Sequence, residues 1–260
     1  MRVSCMVDII NLARVSMELI AALPAATERF KVAAAQIRTA YARRAPAASD
    51  QVTPAQLIEA LEQFLSVASN LDRDEGETGP ILMDDVNQLG DYGLNLLADL
   101  ASWAQQLGLK DAYFGIGMTS LTIADWTIRH HGRIRSPEPV VNALADAANR
   151  TTEAGELERM ARFMGEVIHA CDSFIQQDME KTNPGRPWRL LHLNRGIVAT
   201  RSNNPALMTQ VFDELVRALP EEAPGFFEQG MQQMEALNYP PTVREVMEHY
   251  RSMWSRPVLH

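Results

Sequence analysis

Apolar residues recur every three or four positions along almost the whole chain, and that spacing predicts helices rather than strands. Val3, Met6, Val7, Ile10, Met17 and Ile20 begin the series, and Phe30, Ala33, Ile37 and Tyr41 mark one side of a second helix over 25–44. Thr53, Pro54 and Gln56 spell a capping box ahead of Leu57, Ile58, Leu61, Phe64, Leu65 and Ala68. Longer helices are predicted over 82–107, 110–131 and 155–181, with a shorter one capped by Ser136 and fading near Asn149. The last quarter is the most regular. Helices over 187–201, 205–219, 223–237 and 241–254 are separated by Asn203-Asn204, Pro220-Glu221-Glu222 and Asn238-Tyr239-Pro240. No stretch alternates with period two, so the predicted class is all-α without a β-sheet: stacked antiparallel helical hairpins, as an irregular α-solenoid or a helical bundle. A linker at 45–50 and an acidic, mobile loop at 70–80 divide the pattern. The organisation predicted is an amphipathic helix pair over 1–48 and a helical domain over 49–260.

Seven of the fourteen glycines (Gly90, Gly93, Gly115, Gly117, Gly165, Gly196 and Gly230) fall inside these helical segments. A mid-helix glycine costs about 1 kcal/mol relative to alanine, so so many need a reason. Close approach of a neighbouring helix, which a Cβ would block, supplies one. Gly196 and Gly230 are also 34 residues apart.

Charge narrows the partners. A formal net charge of −9 argues against nucleic acid, whose phosphates want a basic field. The charge is uneven: residues 1–44 carry seven Arg/Lys against three Asp/Glu, and 70–100 carry eight acids against Arg73. Solvated faces explain both, the alternatives being that the two regions attract each other or that each faces a partner; separately, the helices of 1–44 could pack between the subunits of a homodimer. The two cysteines, Cys5 and Cys171, form no CxxC pair, which suits small hydrophobes in a reducing cytoplasm. No apolar run approaches membrane-spanning length. Leu19 to Ala26 has the look of a signal cleavage region, but Asp8, Asn11, Arg14 and Glu18 interrupt the stretch before it.

Short proline-punctuated helix pairs at a period near 34 resemble the tetratricopeptide family. With Pro220 on the family's terminal proline, Gly196 falls on its helix-A glycine and Phe212 on its helix-B aromatic. His192 then takes the tryptophan position and Met208 the small-residue position, so three of eight signature sites match. One period later Phe226 and Gly230 match the aromatic and the glycine, and Tyr113, Ile116 and Gly117 repeat the spacing upstream. The resemblance covers 187–254, extends loosely to 110–150 and misses 1–75. It implies that the first helix of each hairpin lines a concave, peptide-binding face. The family's lysine–asparagine clamp for C-terminal carboxylates has no counterpart here.

Chemistry is sparse. Glu166 and His169 make one Glu-x-x-His, an element di-iron bundles use in duplicate, and His130 and His131 point too far apart for one metal. No nucleophile elbow, dinucleotide loop or phosphate loop occurs, so no catalytic residue, metal or cofactor is expected. Trp188, Arg189, His192 and Arg195 follow one another along a single helix that Arg201 ends. Arginine forks beside a tryptophan suit a carboxylate or an acidic peptide, unless Glu221, Glu222 or the loop at 72–77 pairs with them first. The leading expectation is a non-enzymatic, protein-binding or peptide-binding helical adaptor with Trp188, Arg189, His192, Arg195 and Arg201 in its groove. The alternative is a helical-bundle enzyme or small-molecule binder with an internal polar pocket near Asp125, Glu166 and His169. Methionines such as Met160, Met164, Met231, Met234 and Met247 are expected to fill the core, and Trp103, Trp126 and Trp254 to pack between helices.

Overall fold

In the computed structural model, which describes residues 20–44, 52–74 and 82–254, the chain is all-α. Eleven helices occur among the described residues: α1 (Leu23–Arg44), α2 (Pro54–Asp74), α3 (Met83–Gln106), α4 (Lys110–Arg129), α5 (Glu138–Arg150), α6 (Ala154–Ala170), α7 (Ser173–Gln176), α8 (Pro187–Arg201), α9 (Pro205–Ala218), α10 (Ala223–Leu237) and α11 (Pro241–Trp254). The helix expected over 3–20, the linker at 45–50 and Cys5 lie outside the described residues.

The first four helices close on themselves. α1 packs on α2 and α4, α2 on α3, and α3 on α4, giving a bundle whose first and last members touch. Phe30, Ile37, Leu61, Leu94, Leu97 and Trp126 fill it, all but sealed from water. α5 lies over α3 and α4, α6 over α4 and α5, and α8 over α5 and α6. From there α8 pairs with α9, α10 pairs with α11, and α11 returns to α9. The far end is an aromatic nest: Phe212 meets Phe226, Phe227 and Tyr250 with ring centroids 5.1–5.7 Å apart. The five core methionines expected from spacing are all buried, and so is Cys171, whose thiol burial pushes up to about 12.

Each of the seven helix glycines lies against a different helix. Gly93 receives the Phe64 ring, Gly165 the Arg195 guanidinium, Gly196 the Phe226 ring and Gly230 the Met247 terminus, each within 2.8 Å of where a Cβ would stand. Thr127, Ala33 and Ala143 fill the same place at Gly90, Gly115 and Gly117. Close approach is therefore the reason for six of the seven; Gly115 meets only the Ala33 methyl, at an ordinary 3.4 Å.

Local signals set most boundaries. The Thr53 N–H donates to Gln56 Oε1 (2.9 Å), while Gln56 N–H reaches back to Thr53 Oγ1 (3.5 Å). Proline opens α8 and α9, where its missing N–H costs nothing.

Three expectations need correction. The loop at 70–80 begins later, because α2 runs on to Asp74: Leu71 packs against the core, and Asp72 accepts from Arg129 (3.3 Å) and meets His130 Nε2 (2.8 Å). The helix over 155–181 is broken at Cys171. There Ile134 N–H donates to the Ala170 carbonyl (2.9 Å) and Asp172 N–H to the Ile134 carbonyl (2.8 Å), and the Asp172 carboxylate caps α7 through Phe174 N–H. Ser136 is no cap; its N–H, with that of Arg135, donates to Asp91 Oδ1, which fastens the segment after α4 onto α3.

Candidate functional site

The five residues expected to form a binding stripe sit on one helix, α8, as their spacing requires. What each touches is the chain itself. The Arg189 fork grips Glu222, with Nη2 2.8 Å from Oε2, and its Nη1 donates to the Pro184 carbonyl (3.0 Å). That pairing raises the Arg189 pKa and lowers that of Glu222. Arg195 is 3% exposed; Nε donates to the Ala161 carbonyl (3.0 Å) and Nη1 to Glu214. Burial pushes the Glu214 carboxyl upward, but the bonds from Arg195 and Gln210 prevail and hold it low. Arg201 caps the end of α5, donating to the carbonyls of Ala148 (2.9 Å) and Thr151 (2.7 Å).

His192 is 4% exposed and packs edge-on to Trp188, centroids 4.5 Å apart. Its Nε2 is sealed from solvent without a hydrogen-bond partner among the described residues. Burial, reinforced by the Arg195 charge, depresses its pKa to about 4. Trp188 and Arg189 remain partly accessible, whereas His192 and Arg195 are interior.

Two recesses carry accessible surface near this helix. One is a groove of about 570 Å³ between α8 and α10. Ile197 and Arg201 come from α8; Phe226, Gln229, Gln233 and Leu237 come from α10, at the three-to-four-residue steps that share one helix face. Ile197 is 49% and Leu237 62% exposed, so apolar surface is open there. Sequence spacing had located Arg201 at its edge but none of its apolar members, because surface apolar positions look like core positions in a periodicity.

The other is a cleft of about 630 Å³ where the end of α4 meets α6, α8 and α9. Glu166 and His169 line it together with Arg195, while Asp125 does not; it pairs along its own helix with Arg129 (2.9 Å). Among the described residues no group of three His, Cys, Asp or Glu side chains could hold a metal ion, and no helix is long and apolar enough to cross a membrane. No protein-family model, curated protein or solved structure matches the chain.

Proposed function

We propose that the chain is a non-enzymatic binding scaffold whose C-terminal hairpins take up an apolar segment of a partner protein in the groove between α8 and α10. The observation that carries this reading is the groove's composition: Ile197, Phe226 and Leu237 beside Gln229 and Gln233. Apolar side chains supply affinity, and amides that both donate and accept match the main chain of a bound segment. The groove's location supports a tetratricopeptide-like arrangement, since α8 and α10 are the first helices of their hairpins. Gly196 and Gly230 also each touch the second helix of their own hairpin, at Leu215 and Met247.

Arg201 is the charged side chain lining the groove among the described residues, and its guanidinium serves the α5 carbonyls. An apolar segment therefore fits better than an acidic one. A reducing cytoplasm suits the buried, unpaired thiol of Cys171.

Selection from a displayed random-peptide library against the whole protein tests the proposal. Enriched peptides should carry apolar anchors and lose at least about tenfold in affinity to the Ile197→Asp, Leu237→Asp variant, since burying an unpaired carboxylate costs more than one decade. The melting temperature should hold, because both side chains are substantially exposed. An empty selection, or peptides that bind the variant equally well, would overturn it.

A further inference from the structure

We infer that the cleft between α4, α6, α8 and α9 binds a small organic oxyanion, a phosphate ester or a carboxylate, gripped between Arg195 and Arg133. The site is separate from the apolar groove and rests on different residues.

Arg195 is the centre of the site. Its guanidinium lies on Gly165, where an ideal Cβ would stand 2.6 Å from Nη2, so alanine at 165 would push the group off its seat. Nε and Nη1 are spent on Ala161 and Glu214, and these two bonds fix the plane of the fork. Among the described residues Nη2 has no hydrogen-bond acceptor, and Arg195 lines the cleft. A buried arginine held by two nitrogens and offering the third to an open recess is prepared for an external oxygen.

Arg133 faces the same recess from the segment after α4. That segment is held in place at several points: Arg133 N–H donates to Asn87 Oδ1, Gly132 N–H to the Thr127 carbonyl (2.8 Å), and Gly132 itself is packed against Val86. Arg133 Nη1 donates to the His169 carbonyl (2.7 Å) at the end of α6, which aims an otherwise exposed guanidinium along the cleft wall. His169 Nδ1 bonds the Gly165 carbonyl (2.8 Å); a carbonyl only accepts, so Nδ1 carries the proton and Nε2 is left as an acceptor, suited to a hydroxyl or ammonium group of the ligand rather than to its oxyanion.

Charge and size agree with this class of ligand. In a chain of net charge −9, the lining gathers Arg133, Arg162 and Arg195 against Glu166. Glu158 and Glu214 offset Arg162 and Arg195, which leaves Arg133 as the cation bound only to a carbonyl. Glu166 accepts but does not donate, so it favours an oxyanion that also carries hydroxyl or ammonium groups. A volume near 630 Å³ has room for a small organic ligand.

Titration of the isotope-labelled whole protein with inorganic phosphate, and separately with acetate, both against chloride at equal ionic strength, provides the test. Saturable amide shifts at Gly132, Arg133, Gly165 and His169 are expected for at least one anion, and the tighter anion identifies the ligand as phosphate or carboxylate. Arg133→Ala, an exposed position with little at stake in folding, should weaken that binding about tenfold, the effect of one lost charge-assisted bond. Gly165→Ala should weaken it too, with the melting temperature recorded beside it. Shifts that never saturate, shifts spread over surface arginines such as Arg217, or an Arg133→Ala variant that binds as wild type would overturn the assignment.

Discussion

Where α3 crosses α2, Gly93 receives the ring of Phe64; where α6 crosses α8, Gly165 receives the guanidinium of Arg195. The same backbone device admits a hydrocarbon in the N-terminal bundle and a charge in the C-terminal stack. In the bundle, Arg38–Glu62 and Arg129–Asp72 are half exposed on the arginine side and contribute little beyond the apolar core. In the stack, the Arg186 and Arg195 side chains are 4% exposed and paired, so removing either strands a carboxylate at or near the interior. Both regions have apolar cores, but among the described residues only the second also buries matched charges inside its core.

The largest expected effect sets these two regimes side by side. Arg186→Ala leaves Asp178 buried without the fork that reaches it at 2.5 and 3.0 Å, and should cost about 3–5 kcal/mol in urea unfolding. Arg38→Ala in the bundle should cost less than about 1 kcal/mol. Equal losses would erase the contrast.

Acid should act next. His192 titrates near 4 in the folded chain and near its ordinary 6.5 when unfolded, so between those values the unfolded state takes up a proton that the folded state refuses. Stability is complete above pH 6.5 and falls as pH drops toward 4, by about 3 kcal/mol in all. Carboxylates held low, such as Glu214 and Glu222, add their own loss only in the lower part of that window. His192→Phe should flatten the upper part and lose nothing at neutral pH, because the orphaned Nε2 disappears with the ring. An unchanged slope between pH 6.5 and 5 in that variant would refute the role given to burial.

The smallest effects should differ in sign. Gly93→Ala drives a methyl to within 2.7 Å of the Phe64 ring, and overpacking of about 1–3 kcal/mol outweighs the helix propensity gained. Gly115→Ala meets nothing nearer than the Ala33 methyl at 3.4 Å, so the propensity wins and the protein should gain about 0.5–1 kcal/mol. Thermal melts of the two variants decide it.

The elements that sequence spacing located best are those with local punctuation. Pro187, Pro205 and Pro241 stand at helix starts, and Asn238 ends α10 in the left-handed conformation, so the last four helices fall close to where the pattern puts them. The break at Cys171 escaped because its cause is Ile134, far away in the chain, while Phe174, Ile175 and Met179 keep up a helical rhythm beyond it. One local sign existed: Asp172 followed by Ser173 is an N-cap pair inside a supposed helix. The stripe on α8 was legible as basic, but not as already occupied. Glu222 was among the foreseen partners, whereas Glu214 and the carbonyls of Ala148, Thr151 and Ala161 are supplied by tertiary contacts that leave no trace in spacing. The cleft announced itself only through Glu166 and His169; Arg133 enters because Asn87 and Asp91 hold the segment after α4.

The Ile134–Cys171 bridge has a kinetic corollary. Ile134 N–H and Asp172 N–H belong to different connectors, yet each is satisfied only by the other strip of chain, so neither can be exposed to solvent while its counterpart stays shut. Once corrected for their intrinsic exchange rates, the two amides should show the same protection from deuterium under native conditions, a joint heartbeat for two stretches that the amino-acid order keeps far apart.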